Sequence, residues 1–195
     1  MINKLFIQLK TASQGFTLIE TLVAILLLVS AIAGPLTIAA KGLSAAVIAR
    51  DQMVAFYLAQ DAVEYVRFVR DSNKLSGASW LTNLSDCTGA TGCYLDTLGN
   101  DVDSGLGGIQ PVNDCPTAAS GGCPPLNKYN DGSGHTYFSY LAGAQTPQKF
   151  VRTITLTTPT TGETSEEVLS VVVSWRTQAN ITRSITVREN LLDWQ

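Results

Sequence analysis

One stretch limits the possible folds of this chain more than any other: the apolar run at residues 21–40, which directly follows Glu20. The run contains no charged residue, and the next charge along the chain is Lys41. About 20 consecutive apolar residues make a helix long enough to span the hydrocarbon core of a bilayer. A carboxylate at the edge of such a run is costly, so we expect Glu20 to be paired or functional.

The apolar residues are unevenly distributed along the chain. Residues 21–40 are almost wholly apolar, whereas residues 72–149 are crowded with Gly, Ser, Thr, Asn, Asp and Pro. This asymmetry predicts a membrane anchor followed by an exported domain. The net charge is -3, and Lys and Arg are scattered, so the chain has no basic face for nucleic acid.

The residues before the apolar run determine how it lies in the membrane. Residues 1–15 include Lys4 and Lys10 and no acidic residue, which predicts that the N-terminus stays in the cytoplasm. A secretory signal peptide would be cut behind its apolar core, and such a cut here would discard the anchor. We therefore interpret the run as a membrane span.

The segment GFTLIE at residues 15–20, with a basic leader before it and a long apolar helix after it, resembles the signature of type IV prepilins and pseudopilins. The resemblance implies that a prepilin peptidase removes a leader of residues 1–15 by cutting between Gly15 and Phe16. It also implies that the new amine of Phe16 is methylated and pairs with Glu20 of a neighbouring subunit. The alternative is that Glu20 lies at the membrane interface, where its cost is small.

The resemblance further implies a set of partners and two locations. The partners are other pilins or pseudopilins, contacted through the N-terminal helix, the prepilin peptidase, and an inner-membrane assembly platform. The chain would sit in the bacterial cytoplasmic membrane as a single span before assembly and in a filament at the cell surface afterwards. The Ala-Arg-Asp-Gln spine, a Phe-Val-Arg-Thr strand and the final Asn-Leu-Leu-Asp-Trp are similar to a V-type minor pilin or an I-type minor pseudopilin.

The helix is expected in two parts, an anchor at residues 16–40 and an amphipathic spine at residues 41–71. Gly34 and Pro35 predict a kink in the anchor, because proline removes a donor and clashes with the preceding turn. The spine carries an apolar stripe expected to cover the domain, at Val47, Val54, Leu58, Ala62, Tyr65 and Val69. Charged residues fall mostly off that stripe, at Arg50, Asp51, Arg67, Arg70 and Asp71.

Residues 72–149 predict a turn-rich insert with short strands, the best candidate being residues 137–140, and the resemblance to pilins implies that this insert is the variable region. All four cysteines lie here, at Cys87, Cys93, Cys115 and Cys123. An even number in an exported region indicates two disulfides. The simplest pairing is local, 87–93 and 115–123, although the sequence leaves the other two connectivities open. The absence of C-x2-C spacing argues against zinc.

Residues 150–195 predict an antiparallel meander of three strands, at residues 150–157, 167–175 and 183–187. We expect one face to pack on the helix through Val151, Leu156 or Ile154, Val172 and Ile185. Leu191, Leu192 and Trp194 are expected to fold the terminus onto the domain. The fold class is therefore α+β, with a long N-terminal helix against an antiparallel sheet and a disulfide-stapled insert.

The sequence offers no catalytic site and implies no cofactor. His135 is the only histidine, and no serine lies in a G-x-S-x-G pattern. Asp101, Asp103 and Asp131 lie in oxygen-rich clusters that suit calcium, but the spacing of an EF-hand is absent. Turn formation is the favoured explanation of these clusters, because Asn, Asp and Gly form turns without a bound ion.

Four functions remain open at this stage. The first is a structural subunit, minor rather than major, of a type IV pilus. The second is a minor pseudopilin of a type II secretion system, and the third is a pilus-tip subunit for adhesion or DNA uptake. The fourth is an enzyme or receptor anchored by a single span, for which the sequence supplies no nucleophile motif.

Overall fold

The structure, a computed structural model, describes residues 15–97, 112–117, 119, 122–130, 134, 136–140, 145–159, 165–177 and 180–193. Within these residues one long helix, α1 (Leu18–Leu75), precedes a short 3-10 helix (Ser85–Thr88) and a seven-stranded sheet. The strands are β1 (Cys93–Tyr94), β2 (Asn113–Asp114), β3 (Pro125–Asn130), β4 (Thr136–Ser139), β5 (Gln145–Thr157), β6 (Glu166–Arg176) and β7 (Thr182–Leu192). The predicted α+β class is confirmed.

The chain divides into two compact units, Met1–Val47 and Ile48–Gln195, which we call the anchor unit and the sheet unit. The described part of the anchor unit is the first portion of α1 with the three residues before it. Within the part of the chain that the structure describes, α1 is also the one helix long and apolar enough to cross a membrane.

All strand pairs in the sheet unit are antiparallel. β5 pairs with β6, and β6 pairs with β7 along its whole length, which confirms the predicted meander. The other edge of β5 is shared between β3, near Val151, and β1, which meets it at Ile154. β4 continues the sheet from β3, in agreement with the strand predicted at residues 137–140, and β2 continues it from β1.

Alternation along the strands decides which side chains enter the core. β6 alternates strictly, so that Leu169, Val171, Val173 and Trp175 are buried. Ile154, Leu156 and, partly, Ile185 pack in the same core, as expected. The prediction was wrong for Val151 and Val172, which point to the opposite face and are only half-buried. At the C-terminus Leu191 is buried but Leu192 is exposed, and Trp194 lies outside the described residues.

The face of α1 in the sheet unit is lined by small residues and valines. Of the predicted stripe, Leu58, Ala62 and Val69 are buried, whereas Val47, Val54 and Tyr65 lie half-buried at its edge. The centre of the buried face is formed by residues not assigned to the stripe: Ala55, Ala59, Val63 and Val66. The expectation that charges avoid this face was wrong for Asp51 and Arg70, which are 4% and 8% exposed.

Four ion pairs join α1 to the sheet and to the residue after β7. The helix supplies the acid in the first two pairs and the base in the last two. Asp51 and Asp61 accept hydrogen bonds from Lys149 and Arg152 of β5. Further along, helix bases meet acids from β7 and the residue after it: Arg67 donates to Glu189 and Lys74 to Asp193, at 2.6 and 2.7 Å. The hydrogen bonds that Arg67 donates to Glu189 raise the pKa of Arg67 above its ordinary value.

The insert is cross-linked by two disulfides and makes one close approach to β5. Cys87 bonds to Cys93, and Cys115 bonds to Cys123, which is the local pairing. Beside Cys93, Gly92 adopts φ +70°, and a Cβ there would lie 2.6 Å from the carbonyl oxygen of Ile154. Glycine is therefore required where the insert crosses β5.

Candidate processing and assembly site

The start of α1 is fixed by its own sequence. Thr17 precedes the first helical residue, and its Oγ1 accepts a hydrogen bond from the backbone N–H of Glu20 at 3.3 Å. Thr17 is therefore the N-cap, and Thr-x-x-Glu is the residue pattern of a capping box. The N–H of Thr21 donates to the carbonyl oxygen of Thr17 at 3.2 Å and closes the first turn.

The peptide bond between Gly15 and Phe16 lies outside this helix. Both residues are exposed and non-helical, and the Phe16 side chain is 76% exposed. A Cβ placed on Gly15 would meet nothing within 4 Å. The bond is thus accessible to a protease without unwinding of the helix.

Glu20 lies in the first turn of α1, where the partial positive charge of the helix N-terminus favours a carboxylate. Together with Gly15, Phe16 and Thr17 it lines a surface recess. Among the described residues its carboxylate has no hydrogen bond or ion pair. The geometry therefore brings the three sequence-predicted residues Gly15, Phe16 and Glu20 to one place but supplies no partner for the acid.

The helix beyond Glu20 presents an apolar surface on all sides. Its large side chains are exposed, including Leu22, Ile25, Leu26, Val29 and Ile32. The three hydroxyls of residues 21–40 bond back to helix carbonyls: Thr21 to Leu18, Ser30 to Leu27 and Thr37 to Gly34, at 2.8, 2.9 and 2.7 Å. Satisfied hydroxyls do not need water, so this surface suits lipid or the apolar helix of another subunit.

α1 continues without interruption through Gly34 and Pro35. Proline at this point lacks the N–H that would bond to Ala31, one turn earlier. Thr37, one turn on, donates its hydroxyl to the carbonyl of Gly34. The kink at Gly34 and Pro35 stays a prediction.

The remaining sequence-predicted candidates do not form a second site. All four cysteines are in disulfides. The calcium candidates Asp101, Asp103 and Asp131, and also His135, lie outside the described residues. Within the described ranges, no group of three or more His, Cys, Asp or Glu side chains could hold a metal ion.

Sequence reasoning missed a buried polar cluster centred on Arg152. This side chain is 1% exposed, and Nη1 donates to the Leu58 carbonyl and to Asp61 Oδ2, each at 3.0 Å. Nη2 donates to the Leu95 carbonyl at 2.8 Å, which links helix, strand and insert. One signal was present: Phe150, Arg152, Ile154 and Leu156 share one phase of β5, so Arg152 lies on the core face.

Tyr140 lies beside this cluster. Burial raises the pKa of its hydroxyl to about 12, and the Arg152 guanidinium opposes that shift in part. The buried Tyr140 hydroxyl and Arg152 Nε have no hydrogen-bond partner among the described residues. The hydrogen bonds of Arg152 connect α1, β5 and the insert. Among the described residues of this cluster there is no pair of a nucleophile and a base.

Comparison with known proteins bears on the N-terminus alone. Residues 10–34 match the family described as the prokaryotic N-terminal methylation motif. No curated protein and no solved structure matches the chain. The match includes Gly15, Phe16 and Glu20, and it does not extend into the sheet unit.

Proposed function

We propose that this chain, whose residues 10–34 match the N-terminal methylation motif, is a type IV pilin-like protein and a minor structural subunit of a type IV pilus or related filament. Proteins with this motif associate with other pilins and with a prepilin peptidase, and the family is structural. In our proposal the chain inserts in the cytoplasmic membrane with its N-terminus inside. The peptidase cuts after Gly15 and methylates Phe16, and the assembly platform then passes the subunit into the filament.

The observation that carries the proposal is an exposed Gly15–Phe16 bond, one residue before the N-cap of a helix with an apolar surface. Cleavage there leaves Thr17 in place, so the mature chain keeps its cap and begins with a two-residue extension. The new amine then lies one helical turn from Glu20. The Phe16 amine and the Glu20 carboxylate both lie at the end of a helix segment whose side chains are not buried against the rest of the described chain.

Pairing between subunits explains why an acid is retained here. When apolar helices bundle, water is excluded, and an unpaired carboxylate costs several kcal/mol. The Glu20 carboxylate has no partner in the described part of its own chain. The methylated amine of a neighbouring Phe16 supplies the opposite charge and sets the stagger between the two helices.

Processing is tested by the intact mass of the protein extracted from membranes. We expect a chain that begins at Phe16 and carries one added methyl group. Gly15→Val should leave the leader attached, because a branched side chain blocks the scissile bond. The matched control is Gly42→Val, since Gly42 is also exposed with open space around it; this variant should be cut normally. Any other N-terminus in the parent protein contradicts the proposal.

Pairing is tested by Glu20→Gln, which keeps the shape of the side chain and removes its charge. The variant should insert and be processed, but it should no longer co-purify with other pilins. Glu20→Asp keeps the charge on a shorter side chain and should retain part of the association. Normal assembly of Glu20→Gln would rule out the ion pair while leaving the processing site intact.

The same site serves a pseudopilus of a type II secretion system, and this remains the alternative. Sheared surface fibres distinguish the two, since a pilus subunit is recovered in them and a pseudopilin is not. Low abundance in those fibres would support the minor role, whereas a dominant band would make this chain the major subunit. A role in tip adhesion or DNA uptake would rest on the insert at residues 72–149.

A further inference from the structure

β7 forms a long open edge of the sheet. It has eleven residues, contains no proline, and within the described residues it pairs only with β6. Edge strands of this length offer a row of unpaired backbone groups to another chain, and proteins usually shorten or block them. Such an edge therefore needs either protection or a partner.

The hydrogen bonds at the two ends of the β6–β7 hairpin show which groups face outward. Asp193 N–H donates to the Ser165 carbonyl, and Thr177 N–H donates to the Ile181 carbonyl. Both bonds fall in the same register as the rest of the pair. In an antiparallel ladder, bonded residues alternate, so the odd-numbered residues of β7 bond to β6. The even-numbered residues turn their N–H and C=O groups to the open edge: Thr182, Ser184, Thr186, Arg188, Asn190 and Leu192.

We propose that two copies of this chain pair through β7, antiparallel, about a two-fold axis at Thr186. Self-pairing of one surface is the geometry of an isologous dimer. In this register Arg183 of each copy faces Glu189 of the other, and Ile185 faces Val187. Opposite charges and apolar pairs placed directly across a sheet are the stabilising combinations.

The neighbouring registers lack this complementarity. An axis at Arg188 places two like charges opposite each other, and an axis at Ser184 places Arg183 opposite Ile185. An axis at Val187 places Glu189 opposite Ile185, and an axis at Ile185 places Arg183 opposite Val187. Only the axis at Thr186 satisfies the charges and the apolar side chains together.

The side chains that the register uses are available. Arg183 is exposed and has no ion pair within the described ranges. Glu189 accepts both bonds from Arg67 on Oε1, so Oε2 can accept a bond from Arg183 of the second copy. Ile185 and Val187 are only half-buried, and a second strand would cover them further.

Cysteine cross-linking of the full chain in membranes tests the register. All four native cysteines are in disulfides, so an introduced cysteine is the one free thiol. Thr186→Cys places two thiols directly opposite each other, about 5.5 Å apart at Cα, which suits a disulfide. Ser184→Cys is the matched control: its two copies lie about 14 Å apart, four residues along the strand.

We expect oxidation to give at least about tenfold more covalent dimer for Thr186→Cys than for Ser184→Cys. Mixing the Ser184→Cys chain with an Arg188→Cys chain should restore the cross-link as a heterodimer, because these residues face each other. Equal cross-linking of the two single variants would overturn the register. The absence of dimer from Thr186→Cys would overturn the interface.

Charge and backbone variants in the Thr186→Cys background separate pairing from chance collision. Arg183→Glu sets two acids opposite each other and should reduce the covalent dimer severalfold. Arg176→Glu, an exposed charge outside the paired segment, should leave it unchanged. In the parent chain, Thr186→Pro removes an outward N–H but no bond to β6, so chemical cross-linking should fall while unfolding stays near that of the parent. If either Arg183→Glu or Thr186→Pro left the dimer intact, the proposal would fail.

Discussion

The two ends of α1 belong to one helix, yet their side chains meet opposite surroundings. Between Glu20 and Lys41 the helix is apolar on every side, and no residue of the helix before Val47 is buried. After Ile48 it buries ten residues against its own sheet and adds four ion pairs to it. The first part must find its partners in a membrane or in other molecules. The second finds them within the chain, so changes there should affect stability and leave the chemistry of the N-terminus untouched.

The largest loss of stability is expected when Arg152 is replaced by methionine. The change leaves the Leu95 carbonyl without the donor that Arg152 supplies, and it removes the second donor to the Leu58 carbonyl and the ion pair with Asp61. We expect it to lower the free energy of unfolding by about 4 kcal/mol. Thermal unfolding of the detergent-solubilised protein measures this. Arg176→Met, at an exposed position, should cost less than about 0.5 kcal/mol. Leader cleavage should be normal in both, and impaired cleavage would break the comparison between the two parts.

Gly92→Ala tests the crossing of the insert over β5. The new Cβ would lie 2.6 Å from the Ile154 carbonyl oxygen at a residue with φ +70°, and we expect a loss of about 3 kcal/mol. Gly77→Ala is the control, since Gly77 has φ +72° but open space, and conformational strain alone should cost about 1 kcal/mol. Equal losses, measured by denaturant unfolding, would show that the close approach does not matter.

Tyr140 predicts a loss of stability at high pH. Burial raises the pKa of its hydroxyl from 10.0 to about 12. Above pH 10 the unfolded state releases this proton while the folded state keeps it, so stability falls as the pH rises from about 10 to about 12. The full effect is about 3 kcal/mol, and it is absent below pH 10. Tyr140→Phe should remove this slope, and an unchanged slope would contradict the assignment.

The smallest expected effect lies in the anchor unit. Thr17→Ala removes the hydroxyl that accepts the Glu20 N–H and should cost about 1 kcal/mol of local helix stability. Hydrogen exchange of the Glu20 amide in micelles should speed up, while the amides of the sheet unit stay protected as before. Thr17→Ser should retain the slow exchange. Faster exchange in the sheet as well would mean that the two regions are not independent.

The sequence was informative where one signal dominated. The long apolar run predicted α1, and the alternation in residues 150–157 predicted β5. The processing site at Gly15 and Phe16, which the GFTLIE segment indicates, stays a prediction. Three consecutive valines in β6, at residues 171–173, have no alternation, and the choice of Val172 for the core was therefore wrong. The two-residue strands β1 and β2 carry no periodicity and depend on the Cys87–Cys93 bond and on pairing with β5.

The burial of charged side chains was the second feature that the sequence did not predict. Asp51 and Arg70 were assigned to the solvent because charge usually marks the surface. Asp51 is buried because Lys149 comes to it from a strand almost a hundred residues away in the sequence. Such a partner is not visible in local periodicity. Arg152 was detectable in principle from its phase in β5, but its bonds to the Leu58 and Leu95 carbonyls required the three-dimensional arrangement.

The reversal of charge along α1 has a consequence for the direction in which the helix lies on the sheet. Its buried face is built from alanines and valines, and apolar contact of this kind does not distinguish one direction from the other. Charge does distinguish them: if the helix ran the opposite way, Arg67 and Lys74 would face the bases Lys149 and Arg152. The acids Asp51 and Asp61 would then face Glu189 and Asp193. Repulsion between like charges would therefore destabilise a fold in which α1 lay on the sheet in the reversed direction.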